Sequence, residues 1–354
     1  MGEGAAMTLQ VESRYLVGYA GQLEANKDGA LVSIEQYCGQ HCLDFDGLDG
    51  TLHPMRWHME QLASSTLDCC DAAKRGMWLT AHDLRGAAKA YDAADALSAE
   101  QMWTAGRAWS MPVGHRERDV SAADVFSQGA DVALAPPPFT SQVGQVKDAI
   151  YQLFGSVNQW VAQLTGFDLL EKLTPMALGD SGAVRRVGAA WGELEHAFRA
   201  VAQDIDRGMD VLSTHWNSDL PDTGGASAAF DYHIRKRWKP ALEGLAQGCD
   251  ATQQLYELAA IEYEYVVNTL LFALNFYAKR LKKAMKVFTT TTDWKKFLWN
   301  LWQIVSTVWQ LIVDTYDLLF KQTVIFKEVV EMVVANFIYL RNRMRGDFEA
   351  FKTL

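Results

Sequence analysis

The chain is short of residues that break helices. It has eight prolines in 354 residues, and three of them sit together at Pro136-Pro137-Pro138. Long stretches on either side carry neither proline nor the alternation of apolar and polar residues that marks strands. Cysteine is scarce as well: five residues, an odd and small number for this length, so a dense disulfide framework is not what holds the chain together. Lys and Arg number 33 against 43 Asp and Glu, a formal net charge of -10. That balance argues against a nucleic-acid partner, because neutralising phosphates needs a clustered basic excess. No window holds 18 unbroken apolar residues; the best, 297–320, is interrupted by Asn300, Gln303, Gln310, Asp314 and Asp317, so a conventional membrane-spanning helix is not expected. The first ten residues lack the basic and apolar regions of a cleavable signal peptide, and export by the general pathway is not expected. A phosphate-binding loop is missing, since Gly224-Gly225 have neither the lysine nor the preceding strand it requires, and no nucleophile, base and orienting acid suggest themselves. Neither enzymatic activity nor a cofactor is expected.

What is present is apolar material, 49% of the residues, enough for a real core, and helical periodicity. Apolar residues recur at three and four from about Leu9 to Tyr37. They do so again through Met55, Met59, Leu62, Thr66, Cys69, Ala73, Met77, Thr80, Leu84, Ala87 and Tyr91. Between the two stretches lies L-D-F-D-G-L-D-G-T, suited to a reversal, with Pro54 at a first-turn position. Residues 1–103 therefore read as an antiparallel helical hairpin. Periodicity is lost over 110–142, which reads as a linker or a loop laid over a bundle, bounded at 104–143. A short amphipathic helix over Val146–Leu164 follows. The strongest pattern comes next: Val184, Val187, Trp191, Leu194, Phe198, Val201, Ile205, Met209, Leu212 and Trp216 form one narrow stripe predicted to face a single partner helix. From Ala226 to about Val287 the chain is again helical, with a kink expected at Pro240. Residues 144–287 make a second hairpin and 288–354 an apolar third. The expected fold is all-α, an elongated helical bundle of long antiparallel hairpins.

At the tip of the second hairpin the chain reads H-W-N-S-D-L-P-D-T-G-G over residues 215–225, where three short patterns overlap. Leu220–Gly224 spell L-P-x-T-G, but a wall-sorting signal needs an apolar span and a basic tail close behind, and about 130 residues follow here. Asp222–Gly224 spell D-T-G, but the protease signature sits on a strand and works in pairs, and no second copy occurs. Pro221, Asp222, Gly224 and Gly225 suit a turn and a cap for the next helix. The third pattern is Trp216-x-Ser218.

A long helix ending in Trp216-x-Ser218, then a turn, then Ala226-Ser227-Ala228-Ala229-Phe230, resembles the W-x-G hairpin of type VII (ESX) secretion substrates. Ser218 stands where Gly is usual, and the turn is longer. The lead-in D-L-L-E-K-L-T-P-M-A-L-G-D-S-G-A-V-R-R-V-G-A-A-W is similar to that of large actinobacterial members, including leader regions of polymorphic toxins. In the first hairpin, L-T-A-H-D-L-R-G-A-A-K-A-Y-D-A-A-D resembles ESX-secretion-associated proteins, and Tyr91–Asp95 match their Y-x-x-x-D/E export motif. Four residues apart on a helix, Tyr91 and Asp95 share a face, giving a receptor an aromatic plate and a charge. The resemblance covers roughly residues 8–260. It implies a secreted or cell-surface protein, cytoplasmic before export, with type VII secretion machinery or a chaperone as partner and a structural or interaction role. Trp216, Ser218, Tyr91 and Asp95 would be the signal, with both halves in one polypeptide.

Two further groups stand out. Cys38, Cys42, His53 and His58 have the order C-x3-C-x10-H-x4-H, close to a zinc-finger count. The alternative is ordinary packing of small Cys residues, and His53 and His58 would point about 140° apart on a helix. A disulfide among Cys38, Cys42, Cys69, Cys70 and Cys249 is a third reading, although a simple hairpin sets Cys69 opposite residue 25, away from Cys42. The second group is C-terminal. Residues 279–354 carry a net charge of about +6 and the remainder about -16. Trp294, Lys295, Lys296, Trp299, Trp302 and Trp309 border an apolar helix pair. Such residues suit a membrane interface, or the pair packs within a bundle or against copies of itself. The competing function is a membrane-active effector, pore-forming or toxin-like, acting through these helices.

Overall fold

The computed structural model describes residues 9–49, 52–53, 55–107, 124–165, 179–218 and 225–288, with single positions at 171 and between 299 and 342. The fold is all-α. The helices are α1 (Ser13–Ala25), α2 (Leu31–Tyr37), α3 (Met55–Arg107), α4 (Val143–Thr165), α5 (Ser181–His215), α6 (Ala226–His233) and α7 (Lys239–Phe288). Among the described residues one antiparallel ribbon joins β1 (Leu9–Val11) to β2 (Trp216–Ser218), with Val11 opposite Trp216 and Leu9 opposite Ser218.

Among the described residues three π turns continue or end the helices. Asn26–Ala30 links α1 to α2 and Ile234–Trp238 links α6 to α7, both with helical dihedrals at their caps, while Cys38–Cys42 ends the helical run at Leu43. The Ile234–Trp238 turn ends two residues before Pro240. A helix-interior proline has no N–H and its ring collides with a carbonyl one turn back, and a widened turn there relieves that collision.

The first hairpin packs α1 and α2 against α3. Its register is fixed by a bidentate pair of Arg85 with Glu24 and by Lys74 with Glu35. Nine of the eleven periodic positions of α3, Met55 to Leu84, are buried, while Ala87 and Tyr91 are half-buried. The reversal at 43–49 bends at Gly47, whose φ of 87° favours glycine and whose carbonyl accepts the Asp180 N–H at 3.0 Å. Asp180 then caps α5, its carboxylate accepting from Gly182 N at 2.9 Å and from Gln142 N at 3.1 Å. One side chain thus sets where both α4 and α5 begin.

All ten positions of the α5 stripe are buried. The burial is wider than a single seam, however, since Gly182, Ala183, Gly188, Ala190, Gly192, Ala197, Ala202 and Gly208 are buried too. α5 is the central helix, touching α7 along its length and α1 on another side. Its glycines allow the approach: a Cβ on Gly188 would stand 2.8 Å from the Tyr256 Cβ. The sequence predicted one partner helix; the small residues flanking the stripe admit a second.

Among the described residues, no helix is long and apolar enough to cross a membrane.

Candidate functional site

A polar seam locks the two hairpins together. α1 and the π turn that follows it direct Tyr19, Gln22 and Asn26 toward α5, where the Tyr19 hydroxyl donates to the Ile205 carbonyl at 3.0 Å. Asp204 is only 1% exposed, and its carboxylate accepts from Gln22 Nε2 at 2.8 Å, Asn26 Nδ2 at 2.7 Å and Ser127 Oγ at 2.7 Å. Asn26 Oδ1 in turn accepts from Ala130 N at 2.9 Å. The segment around 126–134 is therefore laid over the seam, as a loop on a bundle. Gly129, with φ of 97°, passes so close to Ala25 that a Cβ would meet its backbone at 3.0 Å. Phe126 is buried, with its ring 6.1 Å from Tyr15 and 6.0 Å from Tyr19.

At one end of this seam residues 11–13 meet both the Trp216 strand and α3 beside Tyr91. β1 pairs with β2 so that Val11 faces Trp216, and the Glu12 N–H donates to the His215 carbonyl at 3.0 Å. The Glu12 carboxylate lies 3.1 Å from His215 Nδ1, and the His215 ring stacks on Tyr15 at 3.5 Å with planes 9° apart. Arg14, then His215, hold the Glu12 carboxyl below the usual carboxylate range. Ser13 Oγ donates to Asp92 Oδ1 at 2.6 Å. Residues 11–13 thus bind Trp216 on one side and the neighbour of Tyr91 on the other.

Trp216 is buried, 5.6 Å from Phe230, and Phe230 meets Tyr19 edge-on at 6.0 Å. The indole is a core anchor, fixing the bend from inside. Tyr91 is half-buried against the core, and Asp95 is exposed one turn farther on. α3 runs on to Arg107, so Tyr91–Asp95 lie within the helix, where its α1 partner stops, rather than at the helix end. Ser218 is held by its backbone in β2, opposite Leu9. Instead of an open turn, Trp216-x-Ser218 is an extended strand. The turn itself, residues 219–224, lies outside the described residues.

The metal quartet is not assembled. Among the described residues no group of three or more His, Cys, Asp or Glu is set to hold a metal ion. Cys38, Cys42 and His58 are buried while His53 faces solvent. The cysteine register also differs from the expectation. Glu35 opposite Lys74 brings Cys69 and Cys70 level with the turn at Cys38–Cys42, because the reversal spans a dozen residues rather than a tight turn. Cys70 and Cys249 both lie within electrostatic reach of Cys38 and Cys69. All five are buried free thiols. Burial pushes the thiols of Cys42, Cys70 and Cys249 up, which keeps them protonated and chemically quiet.

Of the C-terminal candidates, Trp299 and Trp302 are exposed. Trp294, Lys295, Lys296 and Trp309 lie outside the described residues. Sequence reasoning missed Asp204, Phe126 and the Glu12–His215 contact. A signal for the first was available: Gln22 and Asn26, one turn apart, interrupt the apolar face of α1.

No protein-family model, curated protein or solved structure matches the chain.

Proposed function

We propose that this chain is a helical substrate of a type VII (ESX) secretion system, exported through one composite signal formed by its two hairpins, with a structural or interaction role. The observation that carries this reading is the tie between the motifs: residues 11–13 pair with Trp216 and bond to Asp92 beside Tyr91. In substrates split over two chains, the W-x-G turn and the export motif belong to partners. Here one polypeptide supplies both, and the buried Asp204 seam would keep them at a fixed separation before any receptor is met. Recognition would then use Asp95 as an exposed charge and Tyr91 as a half-open aromatic plate, with Trp216 setting the backbone bend. A secretion apparatus or a chaperone is the implied partner, and the destination is outside the cell or its surface.

The test is export from the producing cell. Tyr91→Ala should abolish secretion while the purified variant keeps the helicity of the parent by circular dichroism. Undiminished secretion of that variant would remove the signal role.

A further inference from the structure

Thiols from three elements gather in the dry core. Cys38 and Cys42 begin and end the π turn that closes the first helical run, Cys69 and Cys70 sit on α3 and Cys249 on α7, and all five are fully buried. The turn itself packs on α5 and α3. Within this group one pair is in contact: the thiols of Cys38 and Cys42 share a hydrogen bond, whereas Cys38 acts on Cys70 and Cys249 electrostatically across a longer gap.

Chemistry limits what such a pair can become. Burial, with the carboxylates of Glu35 near Cys70 and Glu195 near Cys249, opposes a thiolate and therefore also an anionic complex of thiolates with a metal. A disulfide is neutral and apolar, and suits the same space. Spacing then decides its kind. Residues four apart on a helical turn hold their Cβ atoms about 5–6 Å apart, while a disulfide needs about 3.5–4.5 Å. The turn must draw in to close the bond. Strain of that sort makes a bridge easy to reduce, so it switches rather than braces.

The turn is placed to pass that movement on. Cys42 is the last residue before Leu43, where the dihedrals cease to be helical, so the closing residue stands at a helix end. The reversal just beyond it carries the Gly47 carbonyl that accepts from Asp180 N, and Arg186 holds both Asp44 and the Asp46 carbonyl. Asp180 in turn caps α5 and bonds to the start of α4.

We propose that Cys38 and Cys42 form a reversible disulfide, a redox switch that adjusts the reversal resting on Asp180. The oxidant is a low-molecular-weight disulfide such as oxidised glutathione. When the end of the helical run opens, the Cys42 thiolate attacks one sulfur of that disulfide and expels the other as a thiolate. The Cys38 sulfur then attacks the Cys42 sulfur, and the second small thiolate leaves. Two protein thiols are oxidised, one small disulfide is reduced to two thiols, and the two protons pass to the departing thiolates. In the closed bundle the thiols stay quiet, so oxidation proceeds at the rate of opening. This inference is independent of the export reading.

The test equilibrates the folded full chain in glutathione buffers of rising oxidised share, then denatures, alkylates and maps it by mass spectrometry. One bridge is expected, between Cys38 and Cys42, with Cys69, Cys70 and Cys249 alkylated, and all five alkylated again after dithiothreitol. The bridge should survive Cys70→Ala and Cys249→Ala, and vanish in Cys38→Ala with no other taking its place. Hydrogen exchange at the Asp180 amide should quicken roughly tenfold on oxidation and return on reduction. Free thiols at every buffer ratio, a bridge to Cys69, Cys70 or Cys249 in place of this one, or an Asp180 amide that exchanges equally fast in both states would overturn the proposal.

Discussion

Asp204 ties the two hairpins together through a buried carboxylate. A carboxylate 1% exposed must have its lone pairs filled, and amide donors from α1 and a hydroxyl from the overlying segment fill them. Removing the carboxylate strands two buried amides as well. Asp204→Ala should therefore cost about 2–4 kcal/mol, lowering the melting temperature by roughly 5–15 °C. Asp83→Ala, on the exposed face of α3, should stay within about 0.5 kcal/mol. Equal melting of the two variants would show that the seam is not a locking element. The network was only half legible beforehand. Gln22 and Asn26 stood out as polar residues on an apolar face, whereas Asp204 and Ser127, remote in sequence, gave no sign that they shared a site.

At the scale of elements, the long helices could be read directly from period. The α5 stripe and most of the α3 stripe are buried where apolar recurrence put them. What period could not supply was the partners of a helix whose flanks are glycine and alanine, and the length of a reversal. Both errors concern small residues or loops, where side-chain hydrophobicity carries little information. The π turns were equally hidden, since their sequences look helical. The hairpins are also clasped at their rims by carboxylate–guanidinium pairs. Arg85 holds Glu24, Arg185 holds Glu264, and Arg14 with His215 holds Glu12, each below the ordinary carboxylate value of 4.5. A lowered carboxylate binds fewer protons folded than unfolded, so its contribution is complete above that value and is lost as pH falls through the lowered one. Stability should be insensitive to these groups near neutrality and should decline below pH 4.5. The decline should be shallower in Arg85→Met with Arg185→Met, and smaller in high salt because the pairs are partly solvated. An acid limb unchanged by the double substitution would place the titration elsewhere.

For the whole molecule, the proposed export signal is one that folding assembles by bringing two weak sequence patterns to one end of the bundle. Neither a Y-x-x-x-D spacing nor a Trp-x-Ser bend is specific by itself, and the recognised letters are only part of what a receptor would meet. Position supplies the rest: the ribbon of β1 with β2 and the Ser13–Asp92 bond set the two patterns at one end of the bundle. That arrangement could not be read from the sequence, because three residues of strand at the chain's start carry no periodic signal. The most direct measurement is secretion of a Gln10→Pro variant, in which β1 loses a backbone donor while Tyr91, Asp95, Trp216 and Ser218 all remain. Loss of export with helicity preserved is the predicted result. Export at the parental level from a chain whose ribbon is broken would contradict it.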